Sequence, residues 1–349
     1  MLALFIPVGV LVGMGLLVLS ALSIHSFILQ IIWAALAACI VVLFMKIDAR
    51  SVFNSRWVVW GIYGASGLLI LGALVTSPLI RNTHSWLVLG PFTLQPVEFM
   101  KAALILLYAN YFSRRHLAIA RWQNILTSFI FFIIPAAISI KLPDLSSAII
   151  FFSIWFGFLI FLGLPWRRML IAIAILAAAT VLVWNFALKG YQRARIVGFL
   201  SPQENALGIN YSVIQSKIAI GSAGWFGKGY GQGTQTQLGF LSEPTEDFMF
   251  AAVIEEWGLV GGFIVCAAFF FLILQILRIG MLADENFEKF VCMGTAIMLG
   301  VQFILNTGSA TGLTPVVGVT FPFLSYGGSS MIVDSCMLAI INSIRKRLA

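Results

Sequence analysis

The sequence predicts an all-α polytopic membrane protein with about ten transmembrane helices and a large extracytoplasmic loop between spans 7 and 8. Of its 349 residues, 60% are hydrophobic and only 10% are charged, and the mean hydropathy is +1.01. A soluble domain carries roughly 25% charged residues, so this composition excludes a soluble protein. Apolar runs of about 20 residues, the length that crosses a bilayer, recur along the whole chain.

The apolar runs define ten predicted spans. They lie near residues 2–22, 26–45, 57–77, 97–113, 123–141, 145–164, 168–188, 248–277, 289–306 and 326–344. The eighth run is long enough to tilt or to project beyond the bilayer. Neither a soluble domain nor an internal repeat separates the spans, so residues 1–349 are predicted to form a single transmembrane domain.

Basic residues in the short connections predict the orientation of the chain. On one side lie Lys46, Arg50, Arg56, Arg114, Arg115, Arg121, Arg167, Arg168, Arg278, Lys289, Arg345, Lys346 and Arg347. Connections rich in lysine and arginine face the cytoplasm, which assigns both termini to that side. The net charge of +8 therefore reflects membrane topology and gives no indication of nucleic acid binding. The longer connections, about 78–96, 189–247 and 307–325, face outward.

The outer loop at about 189–247 combines glycines with basic side chains. Glycines alternate with other residues through the run from Ala223 to Gln235, without the spacing of a Walker loop. The same loop contains Lys189, Arg193, Arg195, Lys217 and Lys228. Exposed backbone amides and cations suit a phosphate or pyrophosphate ligand. Anionic lipid headgroups are the alternative partner for these charges.

The segment from Ser242 to Trp257 is unusually acidic for this chain. It holds Glu243, Glu246, Asp247, Glu255 and Glu256, out of 13 acidic residues in total. Asp247 is expected at the membrane surface, at the positive end of a helix and beside the glycine-rich loop, where it serves either as a helix cap or in chemistry. Glu255 and Glu256 would lie roughly 12 Å deeper along that helix. A charge at that depth is costly, so both are predicted to be buried polar groups.

Other polar residues in apolar surroundings are interpreted as structural. Glu98 and Lys101 are spaced to form an ion pair on one helical face, and Asp144 can cap the sixth span. The histidines His25, His84 and His116 are scattered, and Cys39, Cys266, Cys292 and Cys336 lie in apolar runs. No metal-ligand cluster can be assembled from them.

Several motifs resemble those of the SEDS family (shape, elongation, division and sporulation), over roughly residues 80–345. They are Leu94–Lys101, Pro143–Ser146, Gln215–Ser222, Phe226–Gly229, Gly233–Gln235, Asp247–Phe248, Glu255–Gly258, Thr311–Pro315 and Phe321–Ser330. Lys217, Gly227–Gly229 and Gly233–Gln235 resemble the family's elongation members more than its division members.

The resemblance implies a bacterial peptidoglycan glycosyltransferase that polymerises lipid II at the outer face of the cytoplasmic membrane. It also implies a class B penicillin-binding protein and other membrane proteins of the elongation complex as partners. The family's catalytic aspartate matches Asp247, and its Glu-x-x-Lys pair matches Glu98 and Lys101. The substrate-binding candidates are Arg193, Arg195, Lys217, Lys228, Gln215, Ser216 and Trp86, and Ser325 joins the buried polar group. No cofactor is assigned, and a requirement for a divalent cation, Mg or Mn, is left open.

Two departures from the family pattern bear on the site. Thr83–Leu87 replaces an Arg-Arg-Trp-like stretch, which puts substrate contacts around Trp86 in question. Glu246 replaces a threonine next to the key acid and is a rival to Asp247 as the base. A lipid II transporter or flippase, whose polar path would use buried charges, and a non-catalytic scaffold are the alternative functions.

Overall fold

A computed structural model of the chain describes residues 2–44, 52–77, 85–89, 92–115, 122–186, 190–200, 208 and 210–347. The elements are α1 Leu2–Leu22, α2 Ile24–Phe44, α3 Arg56–Thr76, β1 Leu87–Leu89, β2 Phe92–Leu94, α4 Pro96–Ser113, α5 Trp122–Lys141 and α6 Leu145–Phe161. They continue with α7 Trp166–Phe186, α8 Gly190–Leu200, α9 Tyr211–Ser222, α10 Thr234–Gln237, α11 Met249–Leu282, α12 Asn286–Thr311 and α13 Gly328–Arg347. The two strands pair as a small antiparallel hairpin.

The helices confirm the predicted all-α membrane architecture. Within the described residues, each of the ten predicted spans corresponds to a long helix. Six of these, α1, α2, α3, α5, α11 and α12, are long and apolar enough to cross a membrane. In the part of the loop at about 189–247 that the structure describes, the chain forms three helices, α8, α9 and α10. Lys46, Arg50, Thr83, His84, His116, Arg121 and Lys189 lie outside the described residues.

The chain forms two compact units. The first comprises Met1–Leu43, Tyr191–Gln275 and Leu299–Leu338; the second comprises Phe44–Gly190, Ile276–Met298 and Ala339–Ala349. The prediction of a single domain stays a prediction.

The second unit is a helical core built on α4, α5 and α6. The Tyr108 hydroxyl donates to the Ser128 carbonyl at 3.0 Å, and the Trp155 indole donates to the Ser128 hydroxyl at 3.0 Å. Asp144 caps α6 by accepting from the backbone amide of Ser147 at 3.1 Å. These three buried polar side chains of the unit are therefore satisfied by a partner on a neighbouring helix or by a local cap.

Most of α11, residues 249–275, lies in the first unit, and the sequence predicts this helix as one continuous span. The structure corrects that prediction, because Gly258 interrupts the helix with φ 72° and ψ −171°. The ring of Phe321 lies 6.1 Å from that of Phe250 and 5.6 Å from that of Phe269. In a straight helix Phe250 and Phe269 would be about 28 Å apart. The helix therefore folds back at Gly258 into a first arm, 249–257, and a second arm, 259–282.

Close packing of the two arms depends on small residues just after the break. A Cβ at Gly262 would lie 2.8 Å from a side-chain carbon of Ile254, and one at Gly261 would lie 2.5 Å from the Cβ of Trp257. The residues of the first arm are almost all buried, whereas the second arm has one exposed apolar face, which begins at Leu259, and one buried face. Sequence periodicity could not predict this arrangement, since both arms are apolar helices.

Candidate functional site

The break at Gly258 is held by the glycine-rich loop. Among the described residues, four backbone hydrogen bonds join the two segments. Lys228 and Gly229 donate to the carbonyls of Glu255 and Glu256 at 2.9 and 3.1 Å, and Leu259 and Val260 donate to those of Gly224 and Trp225 at 3.1 Å each. These are the backbone groups that a helix break leaves without intrahelical partners. The loop therefore completes the helix that the glycine interrupts.

Both segments need glycine where they meet. Gly227 and Gly258 have φ values of 77° and 72°, a region that side chains other than glycine rarely adopt. A Cβ on Gly227 would overlap the Glu256 carbonyl, and one on Gly258 would overlap the Trp225 carbonyl. Gly227 and Gly258 thus allow close backbone approach between the loop and the helix break.

Glu255 is the buried anion around which the loop is organised. Its side chain is fully buried, and its Oε1 accepts from the Lys228 ammonium at 2.8 Å. The same carboxylate accepts from the backbone amides of Gln235 at 2.8 Å and Thr236 at 3.0 Å. The amides and lysine predicted to bind a substrate phosphate thus bind a carboxylate of the chain itself.

Asp247 lies just before the first arm of α11, where its backbone is held by Asn306 of α12 and where a second segment, 318–327, packs against it. The amide of Asn306 donates from Nδ2 to the Asp247 carbonyl at 3.0 Å and to the Val319 carbonyl at 2.7 Å. The Ser325 hydroxyl donates to the carbonyl of Glu246 at 2.6 Å. These bonds fix the backbone on both sides of the Glu246–Asp247 peptide.

The side chains of Asp247 and Glu246 differ in access to solvent and ligand. Asp247 is half-buried, and a Cβ at Gly318 would lie 3.6 Å from its Oδ2. Glu246 is only 9% exposed. A group that reacts with substrate must be reachable, which favours Asp247 over its neighbour.

The backbone at Asp247 lies beside the inner turns of neighbouring helices, α2 and α12, rather than beside their ends. Ile24 begins α2, and Gln30, about 9 Å further along that helix, donates to the Ser325 carbonyl at 3.2 Å. Asn306 similarly precedes the end of α12 at Thr311 by about 8 Å. The order along the helix axes is therefore the reverse of the one expected. Asp247 lies inside these helix ends, whereas Glu255 binds the amide of Thr236, whose neighbour Gln237 donates to the Ala21 carbonyl in the last turn of α1. The reason is the fold-back at Gly258, because the first arm then runs in the opposite direction to the one that a continuous span would give it.

The helix α9 brings Lys217 to the loop that follows α12. Ser216 is fully buried and donates from its hydroxyl to the Ala310 carbonyl at 2.7 Å. The exposed Lys217 packs against Gly312, where a Cβ would overlap its ammonium end. Gln215 is half-buried on the same helix. Segment 312–318 thus meets Lys217 at one end and Asp247 at the other.

The remaining predicted residues are distributed over both units. Arg193 lies half-buried on α8 in the first unit, and the side chain of Arg195 lies outside the described part of the chain. Trp86, in the second unit, is half-buried, and its carbonyl accepts from the Ser77 hydroxyl at 2.6 Å. Glu98 and Lys101, also in that unit, are buried and form an ion pair of 2.6 Å. Glu256 is buried beside Glu255 in the first unit.

Sequence reasoning missed Asn306 and the helix break at Gly258. A lone asparagine in an apolar span is a signal, because a buried amide in a membrane helix usually has a specific partner. Gly258 gives no sequence signal for a fold-back, because isolated glycines are common in membrane helices. Within the described residues, no group of three or more His, Cys, Asp or Glu could hold a metal ion.

Comparisons with known proteins agree with this architecture. The family FTSW_RODA_SPOVE, described as cell cycle protein, matches residues 1–349. The peptidoglycan glycosyltransferase MrdB of Escherichia coli (strain K12) is 34% identical over 346 residues, which cover 97% of this chain and 92% of that protein. A probable peptidoglycan glycosyltransferase FtsW of Trichlorobacter lovleyi is 31% identical over 320 residues, covering 90% and 82% of the two chains.

Solved structures show the same fold. A chain from a peptidoglycan synthase complex, described for its coordination of polymerization and crosslinking, has a TM-score of 0.84 at 29% identity and covers 99% of this chain and 97% of its own. The rod shape determining protein RodA of Thermus thermophilus has a TM-score of 0.74 at 25% identity and covers 99% and 96%.

Proposed function

This chain belongs to the SEDS family, which includes FtsW, RodA and SpoVE, and on that premise we propose that it is a peptidoglycan glycosyltransferase. Its reaction would polymerise lipid II into glycan strands at the outer face of the bacterial cytoplasmic membrane. The observation that carries the proposal is Asp247, a half-buried carboxylate on a backbone fixed by Asn306 and Ser325. A carboxylate held in this way is suited to act as a general base.

In the proposed reaction, a sugar hydroxyl of the acceptor attacks the anomeric carbon of the donor. Asp247 takes the hydroxyl proton as the new glycosidic bond forms. The bond between the anomeric carbon and the phosphate oxygen breaks, and undecaprenyl pyrophosphate leaves with the electron pair. Negative charge grows on that leaving group, so a nearby cation stabilises the transition state more than the ground state.

Lys217 is the cation that the site geometry favours for this role. It is exposed, and it lies at the opposite end of segment 312–318 from Asp247. Arg193, Gln215 and Trp86 stay substrate-binding proposals on the strength of the family resemblance. Lys228 is a weaker candidate, because its ammonium already neutralises the buried carboxylate of Glu255.

A divalent cation, Mg or Mn, is a further proposal for which the protein offers few ligands. The described residues contain no cluster of three or more metal-ligating side chains. Hard cations of this kind bind through carboxylates together with substrate phosphates. The side chains in the described part of the chain do not form a dedicated metal site.

The proposed location and partners follow from charge and from the relatives. Arg345, Lys346 and Arg347 lie in the last turn of α13, which supports cytoplasmic termini under the positive-inside rule. The α1–α2 connection would then face outward. The similar structure from a complex that couples polymerization to crosslinking supports a class B penicillin-binding protein as partner, together with other elongation-complex proteins. The division role of FtsW relatives is the alternative to cell elongation and shape.

The decisive experiment supplies purified protein with fluorescent lipid II, with and without a class B penicillin-binding protein, and measures glycan strands by gel electrophoresis. Strand formation by the wild type and its absence in Asp247→Asn are expected. A transporter would instead move lipid II across vesicle membranes without making polymer, and a scaffold would do neither. The buried pair Glu98–Lys101 is the feature that justifies testing for a transporter, because the polar path of a transporter would use buried charges.

A further inference from the structure

The tip of the glycine-rich loop exposes large aromatic side chains. Trp225 is 71% exposed, Phe226 is 83% exposed and Tyr230 is 52% exposed. Their loop is well fixed, because its backbone is bonded to Glu255, Glu256, Leu259 and Val260 on both sides of the helix break. Aromatic rings held outward on a rigid backbone would remain in contact with whatever surrounds them.

The second arm of α11 gives one measure of where this loop lies. Its exposed face is apolar from Leu259 through Phe263 and Phe270 to Leu274, as expected of a lipid-facing surface. From Gly258 to Leu274 this face covers about 24 Å of helix, which is most of the thickness of the hydrocarbon core. Gly258 and the loop bonded to it therefore lie at one end of the lipid-facing surface.

The helix α1 gives a second, independent measure. It has 21 residues and so spans about 31 Å. The Tyr230 hydroxyl is hydrogen-bonded to that of Ser20 at 2.8 Å, and the Gln237 amide donates to the Ala21 carbonyl at 3.2 Å. Both contacts are with the last turn of α1. The loop therefore lies level with the end of this span as well as with the break in α11.

We propose that the glycine-rich loop is a membrane-interface anchor that inserts Trp225 and Phe226 among the lipid headgroups and upper acyl chains. Tryptophan and other aromatic rings concentrate at this level of a bilayer. The rings continue the exposed apolar face of the second arm, which begins at Leu259, the residue bonded to Gly224. The occupant of this surface is the lipid itself.

The anchor accounts for the loop's composition without a bound phosphate. Glycine allows the close approach to Glu256 and Gly258, and the Lys228–Glu255 pair removes the charge that would oppose insertion. A loop with a free lysine and free amides would favour an anion in the headgroup layer. Insertion of the loop into the membrane does not depend on the proposed enzymatic activity, so failure of either proposal would leave the other intact.

The test uses the full chain in lipid nanodiscs without any partner protein. Phe226→Cys and Trp225→Cys, each in a background lacking the four native cysteines, carry a small fluorescent label. Phe263→Cys on the second arm serves as the lipid-facing control, because Phe263 is 74% exposed. Asp284→Cys, in the exposed connection between α11 and α12, serves as the water-facing control. Size-exclusion chromatography selects the variants that fold.

Fluorescence quenching by nitroxide lipids and by aqueous iodide is then compared. The proposal expects nitroxide quenching at position 226 or 225 to be within about twofold of that at position 263, with weak iodide quenching. Strong iodide quenching, as at position 284, would overturn it. Weak quenching by both agents would also overturn it, because the site would then be covered by protein.

Discussion

The ammonium of Lys228 lies 2.8 Å from Oε1 of Glu255, whose side chain is fully buried. This ion pair joins the glycine-rich loop to the helix break. It therefore predicts a structural role for Lys228, which an experiment can distinguish from a role in substrate binding. Lys217, on α9, is the natural comparison, because it is an exposed lysine from the same predicted set.

Replacing Lys228 should therefore affect stability, whereas replacing Lys217 should affect chemistry. Lys228→Met leaves a buried carboxylate short of its counterion and is expected to destabilise the protein by about 1–3 kcal/mol. Lys217→Met is expected to keep the wild-type melting temperature in detergent and to lose most polymerisation. Melting curves and strand assays on both variants distinguish the structural role from the substrate-binding role. A Lys228→Met variant that is stable but inactive would show that Lys228 acts in the substrate site.

Asp247→Asn is expected to reduce polymerisation by about 10²- to 10⁴-fold, the usual contribution of a general base, with little change in folding. Glu246→Gln is the matched control, since Glu246 is adjacent but buried. It should retain measurable activity even where burial makes it less stable. Rates of lipid II consumption per folded protein give the comparison. If Asp247→Asn were active and Glu246→Gln inactive, the role of general base would belong to Glu246 instead.

Asn306 is expected to act as a positioning residue for Asp247. Asn306→Ala removes the donor shared by the Asp247 and Val319 carbonyls, so the backbone beneath the carboxylate loses a fixed position. We expect kcat to fall by roughly tenfold or more while KM changes little, because a displaced catalytic group affects the chemical step. Thr307→Val, next along the same helix, is the control and should leave kcat near wild type. A change in KM alone would contradict this role.

Gly258→Ala should abolish folding. Its φ of 72° and the overlap of a Cβ with the Trp225 carbonyl leave no way to keep both the helix break and the loop contact. Gly221→Ala, on α9 with open space around the added carbon, is expected to be tolerated. The yield of monodisperse protein after detergent extraction measures the difference. Equal yields for the two variants would mean that the break is dispensable.

Glu98 and Lys101 should behave as a single unit. Both are buried, at 5% and 2% exposure, and removing one leaves an unpaired charge at a cost of about 3–5 kcal/mol. Glu98→Gln or Lys101→Met alone is therefore expected to lower the melting temperature more than the double variant does. Thermal unfolding of all three variants measures the coupling. Additive losses would show that the two charges act separately.

The sequence alone determined the membrane architecture and the identity of the motifs. Apolar runs of bilayer length specify the helices because a bilayer requires every backbone polar group to be satisfied internally. Glu98 and Lys101 were predictable as a pair because three residues along a helix place side chains on one face. Asp144 was predictable as a cap because it immediately precedes the sixth apolar run.

Only the tertiary structure decided how deep each carboxylate lies and which lysine is already neutralised. Hydropathy measures how apolar a segment is, and both arms of α11 are apolar, so the fold-back at Gly258 left no trace in it. The depth of Asp247 and the partners of Glu255 depend on contacts between segments far apart in the chain, such as Asn306 with Asp247 and Lys228 with Glu255. Such contacts follow from packing, which local sequence patterns do not encode.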